Sequence, residues 1–144
     1  MDSAVSRTPW HLWAVGVLSA VWNAGGAYDY TMTNLHDVAY LAPFSDAEKA
    51  YFLGFPAWVT AFWALGVWGA LAGSLLLLAR SRFAVWAFAV ALAGEAGVTL
   101  FELTTPTPPS LSGAGNIAFA AAIWIVTIAL LLYALSMRRR GVLR

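Results

Sequence analysis

Apolar residues fall into four long runs separated by short polar stretches: residues 10–28, 56–79, 83–102 and 117–137. None of the runs alternates with the period of two that marks a half-buried strand. All are rich in Ala and Leu, which favour helix. Runs of roughly 18–24 residues, at 1.5 Å per residue, are long enough to cross ~30 Å of hydrocarbon. The pattern predicts an all-α membrane protein, a four-transmembrane-helix bundle forming one domain over residues 1–144.

Local punctuation agrees with those limits. Pro56 suits the first turn of a helix, where its missing N–H would be unpaired anyway. Arg80-Ser81-Arg82 closes the second run, and Thr104-Thr-Pro-Thr-Pro-Pro109 stops the third, because proline cannot continue a helix and restricts the residue before it. Gly113-Ala-Gly-Asn116 reads as a loop leading into the fourth run, which ends at Arg138, Arg139 and Arg140.

Ser45-Asp-Ala-Glu48, in the polar stretch after the first run, is a capping-box pattern. It predicts a short helix to Leu53, stopped by Gly54 and Pro56. Tyr40, Phe44, Tyr51, Phe52 and Phe55 surround it, and amphipathic rings favour headgroup level. This segment reads as a short interfacial helix in the first outer loop.

Composition supports lipid as the solvent. Of 144 residues, 61% are hydrophobic and 10% charged, too little polar surface to cover a soluble core of this size. Charge placement then gives a direction. Arg7 precedes the first run, Arg80 and Arg82 follow the second, and Arg138, Arg139, Arg140 and Arg144 follow the fourth. With four spans all three sets fall on one side, and the positive-inside rule puts both termini in the cytoplasm. The acids Asp29, Asp37, Asp46 and Glu48 then face outward. A competing reading takes the first run as a cleaved signal peptide, on the strength of Arg7 and Ala24-Gly-Gly-Ala27; Trp13, Trp22 and Asn23 interrupt its apolar core and oppose that reading.

Charge and composition also exclude chemistry. The net charge is +1, with no basic patch interleaved with aromatics, so nucleic acid is not an expected partner. The absence of cysteine rules out disulfides and thiolate chemistry. There is no P-loop, dinucleotide fingerprint or Ser-His-Asp arrangement, so no cofactor is expected. The two histidines fall on opposite sides of the membrane, which precludes paired haem ligation within one chain. His36 with Asp29 and Asp37 would at most hold a metal weakly, and no metal site is expected.

Glu95 is the sharpest feature. It lies ~20 Å along the third run, deep in hydrocarbon, where a bare carboxylate is costly. It should therefore be neutral, paired or facing an aqueous cavity. Lys and Arg flank the runs, so none reaches its depth. Intramembrane acids mark functional sites by default, although polar residues also hold helices together. Thr99 and Glu102 follow at four and seven residues, on one helical face. Ser19, Asn23, Gly26 and Tyr30 form a similar stripe on the first run. Facing each other, the stripes would line an outward-facing cleft rimmed by Asp29, Tyr30, His36 and Glu102. Asn23 would donate a hydrogen bond to Glu95, and Trp22 would offer a flat aromatic wall. Gly69-x-x-x-Gly73 is a small-residue motif expected to serve close packing within the chain.

Trp22-Asn-Ala-Gly-Gly-Ala-Tyr-Asp-Tyr30, Phe55-Pro-Ala-Trp58, Ala64-Leu-Gly-Val-Trp-Gly69 and Met137-Arg-Arg-Arg-Gly-Val-Leu-Arg144 carry a resemblance over nearly the whole chain. The sequence resembles a family of small four-helix bacterial inner-membrane proteins, whose members are labelled hypothetical membrane protein or, loosely, sugar transporter. The resemblance implies a multi-pass protein of the bacterial inner membrane and identifies no chemistry. In size and in its membrane-embedded Glu the chain is also similar to small multidrug resistance exporters; their essential Glu is on the first helix, whereas Glu95 is on the third.

The expected function is binding or transport of a small polar or cationic solute through an outward-facing acidic and aromatic cleft, with Glu95 titrating. The expected partners are the lipid bilayer and a homodimer or larger membrane complex, since four helices enclose little volume. One alternative is an accessory or assembly subunit of a membrane complex. Another is a membrane enzyme using Glu95, Glu102 and His36 in acid–base work.

Overall fold

The computed structural model describes residues 7–144, which form an all-α structure with no strand among the described residues. Its helices are α1 (Trp10–Asn34), α2 (Val38–Leu41), α3 (Asp46–Leu53), α4 (Ala57–Leu78), α5 (Ala84–Thr104) and α6 (Ala114–Arg139), with a 3-10 turn at Pro109–Leu111. Helices α4, α5 and α6 are long and apolar enough to cross a membrane. At 25 residues α1 is also long enough, but His11, Asn23 and Gly16, Gly25 and Gly26 dilute its apolar content.

Helix limits follow from local chemistry. Ser45 and Glu48 form the predicted capping box: Ser45 N–H donates to the Glu48 carboxylate at 2.8 Å and Glu48 N–H donates to Ser45 Oγ at 3.2 Å. These bonds hold the Glu48 carboxyl below its ordinary pKa, with a contribution from Ser110 in the loop between α5 and α6. The first helix runs further than the apolar pattern predicts, to Asn34 rather than residue 28. Asp29, inside the extended helix, is satisfied by the hydroxyl of Tyr40 in α2, a short turn that the apolar pattern does not mark. Burial and that partnership push the Tyr40 phenol up.

Three helices close in the same way. Asp37 N–H donates to Met32 O, Ser81 N–H to Leu76 O, and Val142 N–H to Met137 O, each the six-residue bond of a Schellman turn. The left-handed residue is Gly141 after α6, but His36 after α1 and Arg80 after α4. A side chain in that region is disfavoured, so Arg80 is held there by its surroundings. Its carbonyl accepts from Arg144 N–H at 2.9 Å, Arg82 N–H donates to Arg144 O at 2.9 Å, and Arg80 Nε donates to Val142 O at 3.4 Å. The chain after α6 thus folds back and seals one end of the bundle. Val142 and Leu143 are buried there with Leu12, Leu77, Ala84, Val85, Phe88, Ala134 and Met137.

The long helices pack antiparallel. The tightest pair is α4 with α5, where glycine brings backbone onto backbone. A Cβ on Gly94 would collide with Gly66 N and Phe62 O, and one on Gly69 would lie 3.2 Å from Ala87 O. Gly73 makes room for the Phe88 ring. The small-residue motif therefore serves contact within the chain. Helix α1 lies on the other side of α4, with Gly16 against Leu78 and Gly26 against Val67. Helix α6 meets α5 through polar side chains, and meets α1 through His11–Tyr133 at one end and Trp22–Phe119 at the other.

At the end opposite the arginine-rich turns, α3 inserts its aromatic face. Phe52 and Phe55 contact Trp63 of α4; Tyr51 and Phe55 contact Phe101 of α5. Charge is segregated accordingly. Asp29, Asp37, Asp46, Glu48, Lys49 and Glu102 lie at the α3 end, and Arg80, Arg82, Arg138, Arg139, Arg140 and Arg144 at the other.

Candidate functional site

Glu95 is placed by the glycines around it. Its backbone N lies 3.6 Å from where a Cβ on Gly66 would be, and Gly94 beside it faces α4. With that face of α5 pressed onto α4, the Glu95 side chain turns to α6. There Thr127 Oγ1 hydrogen-bonds Glu95 Oε1. Glu95 Oε2 is buried and has no hydrogen-bond partner. The sole ion pair among the described residues is Lys49–Asp46, at the bundle's end, so no cation neutralises Glu95. One turn further out, Trp124 Nε1 donates to Thr99 Oγ1 at 3.2 Å.

Thr127 carries one hydroxyl proton and has two acceptors within reach, Glu95 Oε1 and Ile123 O at 3.0 Å. If Glu95 is ionised, the hydroxyl must turn to the carboxylate. If Glu95 is protonated, its own O–H can donate to Thr127 Oγ1 while Thr127 donates to Ile123 O, and both hydroxyl protons are used. The arrangement thus accommodates either state by rotation of one hydroxyl, with Oε2 left open in both.

Burial changes along α6. Thr127 is buried, yet residues 114–121 of α6 are exposed on every face. The first two turns of α6 therefore stand away from the bundle, and the Trp22 and Phe119 rings, 5.9 Å apart, bridge them to α1.

The predicted residues divide between two places. Glu95 and Thr99 belong to this site, whereas Trp22 packs on Phe119 of α6. Asn23 does not reach Glu95. It donates instead to Ala70 O at 3.1 Å and Ser74 Oγ at 2.9 Å on α4. The antiparallel register explains this: Glu95 is level with Gly66, and Gly26 with Val67, so Asn23 sits about one turn, ~5 Å, further in. The α1 stripe thus faces α4 while the α5 stripe faces α6, and the two do not face each other. Tyr30 stands edge-on to Trp63, 5.1 Å between centroids, and Asp29 is taken by Tyr40. Glu102 is exposed, close to Tyr51, whose phenol is pushed up chiefly by burial and also by that carboxylate. His36 is exposed at the edge of a shallow hollow of ≈240 Å³ with Val38, Leu41, Lys49 and Leu53. Among the described residues no three His, Asp or Glu side chains gather as a metal site would require.

Thr127 is the polar partner of Glu95, and the sequence pattern does not single it out. Its signal was depth: counted from the arginine-rich ends of their spans, Thr127 and Glu95 lie ~15 and ~18 Å in. Ser74, which receives Asn23, went unnoticed in the same way. The sequence matches no protein-family model, and neither a curated protein nor a solved structure shows significant similarity to the chain.

Proposed function

We propose that the protein is a four-span membrane bundle that binds or carries a small polar or cationic solute at Glu95, approached past the exposed first turns of α6. The observation that carries this reading is the buried, unpartnered Oε2 of Glu95. A buried acceptor left open is costly unless something occupies it. A proton, a cation or a solute N–H or O–H would complete it, with Trp124 and Trp22 supplying aromatic faces for the rest of the molecule. Three apolar helices and a fourth of sufficient length support four passes. Six arginines at one end support an N-in, C-in orientation under the positive-inside rule. The bacterial inner membrane is the compartment implied by the family resemblance.

Intrinsic tryptophan fluorescence of the purified protein, titrated with tetraphenylphosphonium as a cationic aromatic probe, tests the reading. A proton and a cation compete for the same oxygens, so affinity should rise with pH as Glu95 loses its proton. Glu95→Gln should weaken binding and flatten that pH dependence. Equal binding and an equal pH profile in Glu95→Gln would sink the proposal. An accessory role in a larger complex is the second reading, favoured by residues 114–121, which expose every face of a helix. Recovery of a stoichiometric protein partner from native membranes in mild detergent would favour it.

A further inference from the structure

The arginine-rich end of α6 carries a groove that the solute site does not use. It has a volume of ≈310 Å³ and is lined by Leu132, Leu135, Ser136, Arg139 and Arg140. Leu132, Leu135, Ser136 and Arg139 are spaced at zero, three, four and seven residues, so they share one helical face. Toward the middle of the helix that face continues through Ile128 and Ile125, which are 42% and 67% exposed, as Leu132 is 61% exposed. From Ile125 to Arg139 the track is ~21 Å long, more than the ~15 Å depth of hydrocarbon in one leaflet. It begins apolar, passes a hydroxyl and ends in two guanidinium groups.

Those guanidinium groups are uncommitted. The last carbonyls of α6 are already used by Arg140, Gly141 and Val142 N–H groups in the closing turn. No acidic side chain lies at this end among the described residues, and neither Arg139 nor Arg140 is in an ion pair. Arg80, Arg82 and Arg144 are drawn to the same end by the bridge between the α4–α5 turn and the chain after α6. An apolar track of leaflet depth that ends in paired cations complements one ligand class.

We infer that this face of α6 is a binding site for an anionic phospholipid, its acyl chain along Ile125, Ile128 and Leu132 and its phosphate on Arg139 and Arg140. Arginine suits a phosphate because its fork presents two donors at once. The site stands apart from Glu95 and does not depend on which side of the membrane it faces.

The test is native mass spectrometry of the full-length protein released from micelles containing equal phosphatidylglycerol and phosphatidylcholine. Phosphatidylglycerol should be retained preferentially, and Arg139→Gln with Arg140→Gln should lower its retention by about 30-fold, given the attraction of two arginines to an anionic surface. Both side chains are exposed, and unchanged circular dichroism will show that the variant folds. Arg138→Gln with Arg144→Gln removes the same charge beside the groove and should have far less effect. Leu132→Asn should also weaken retention, and millimolar inorganic phosphate should not displace the lipid. Equal retention of the two lipids, equal losses in the two arginine pairs, no effect of Leu132→Asn, or displacement by phosphate alone would each overturn the inference.

Discussion

A carboxyl group inside a membrane bundle is governed by the partners within its reach, and Glu95 has one. Thr127 serves a single oxygen, and the hydroxyl that does so also lies 3.0 Å from Ile123 O. Polar contacts between membrane helices average about 0.6 kcal/mol and reach about 1.7 kcal/mol. The Glu95–Thr127 pair should fall toward the upper part of that range, because neither group has another side-chain partner. A double-mutant cycle with Glu95→Leu and Thr127→Val, read by detergent-induced unfolding, should return a coupling of about 1 to 1.7 kcal/mol. Thr127→Val should thus cost more in the native background than in the E95L background. Additive effects would mean that the hydroxyl and the carboxyl do not act together. Asn23 illustrates the other use of a polar side chain. Both N–H groups of its amide are taken by Ala70 O and Ser74 Oγ, which ties α1 to α4 and leaves no donor for a solute.

At the scale of the helices, the glycines decide where Glu95 points. Gly66, Gly69 and Gly94 let α4 and α5 touch through their backbones, and that contact fixes the rotation of α5 about its own axis. Gly94→Ala would place a methyl group on Gly66 and on Phe62 O, neither of which can move as a side-chain end can. It should cost about 1–3 kcal/mol, the usual range for overpacking. Gly25→Ala, which meets nothing within 4 Å, should be neutral or stabilising by up to about 1 kcal/mol, since Ala is the better helix former. Thermal unfolding in detergent separates the two, and a Gly94→Ala variant as stable as Gly25→Ala would show that these helices stand further apart. The same rotation explains what was legible in the sequence. Helix limits were written locally, in Pro56, the Thr104–Pro109 run and the arginines, and four of the helices fall within a few residues of them. The depth of Glu95 was legible because charge in an apolar run is conspicuous. Its partner was not, because the pairing of stripes depends on helix rotation, which small residues set through contacts distant in sequence. The extension of α1 past residue 28 was not legible either, because Asp29 is satisfied by Tyr40, in a turn that the apolar pattern does not mark.

At the scale of the whole molecule, both ends are closed by chain segments rather than left as bare helix termini. The α3 wedge brings Tyr51 beside Phe101, and Glu48 reaches Ser110, so both loops at that end are joined. The bridge between Arg80, Arg82 and Arg144 joins the turn and the tail at the other. Two sealed ends of opposite charge character should give the bundle one orientation, since moving arginines across a bilayer is costly. The chain has no cysteine, so a single introduced thiol reports its own side of the membrane. Ala50→Cys on α3 and Gly115→Cys at the start of α6 are exposed at the acidic end, and Ala79→Cys at the close of α4 is exposed at the arginine end. A membrane-impermeant maleimide added to intact cells should label the first two and reach the third only after permeabilisation. Labelling of Ala79→Cys alone would reverse the orientation. Labelling of only one of Ala50→Cys and Gly115→Cys would break the four-span count, because the outer loops would then lie on opposite sides despite the contact between Glu48 and Ser110. The pattern of all three thiols therefore fixes both the number of crossings between α3 and α6 and the side from which a solute would approach Glu95.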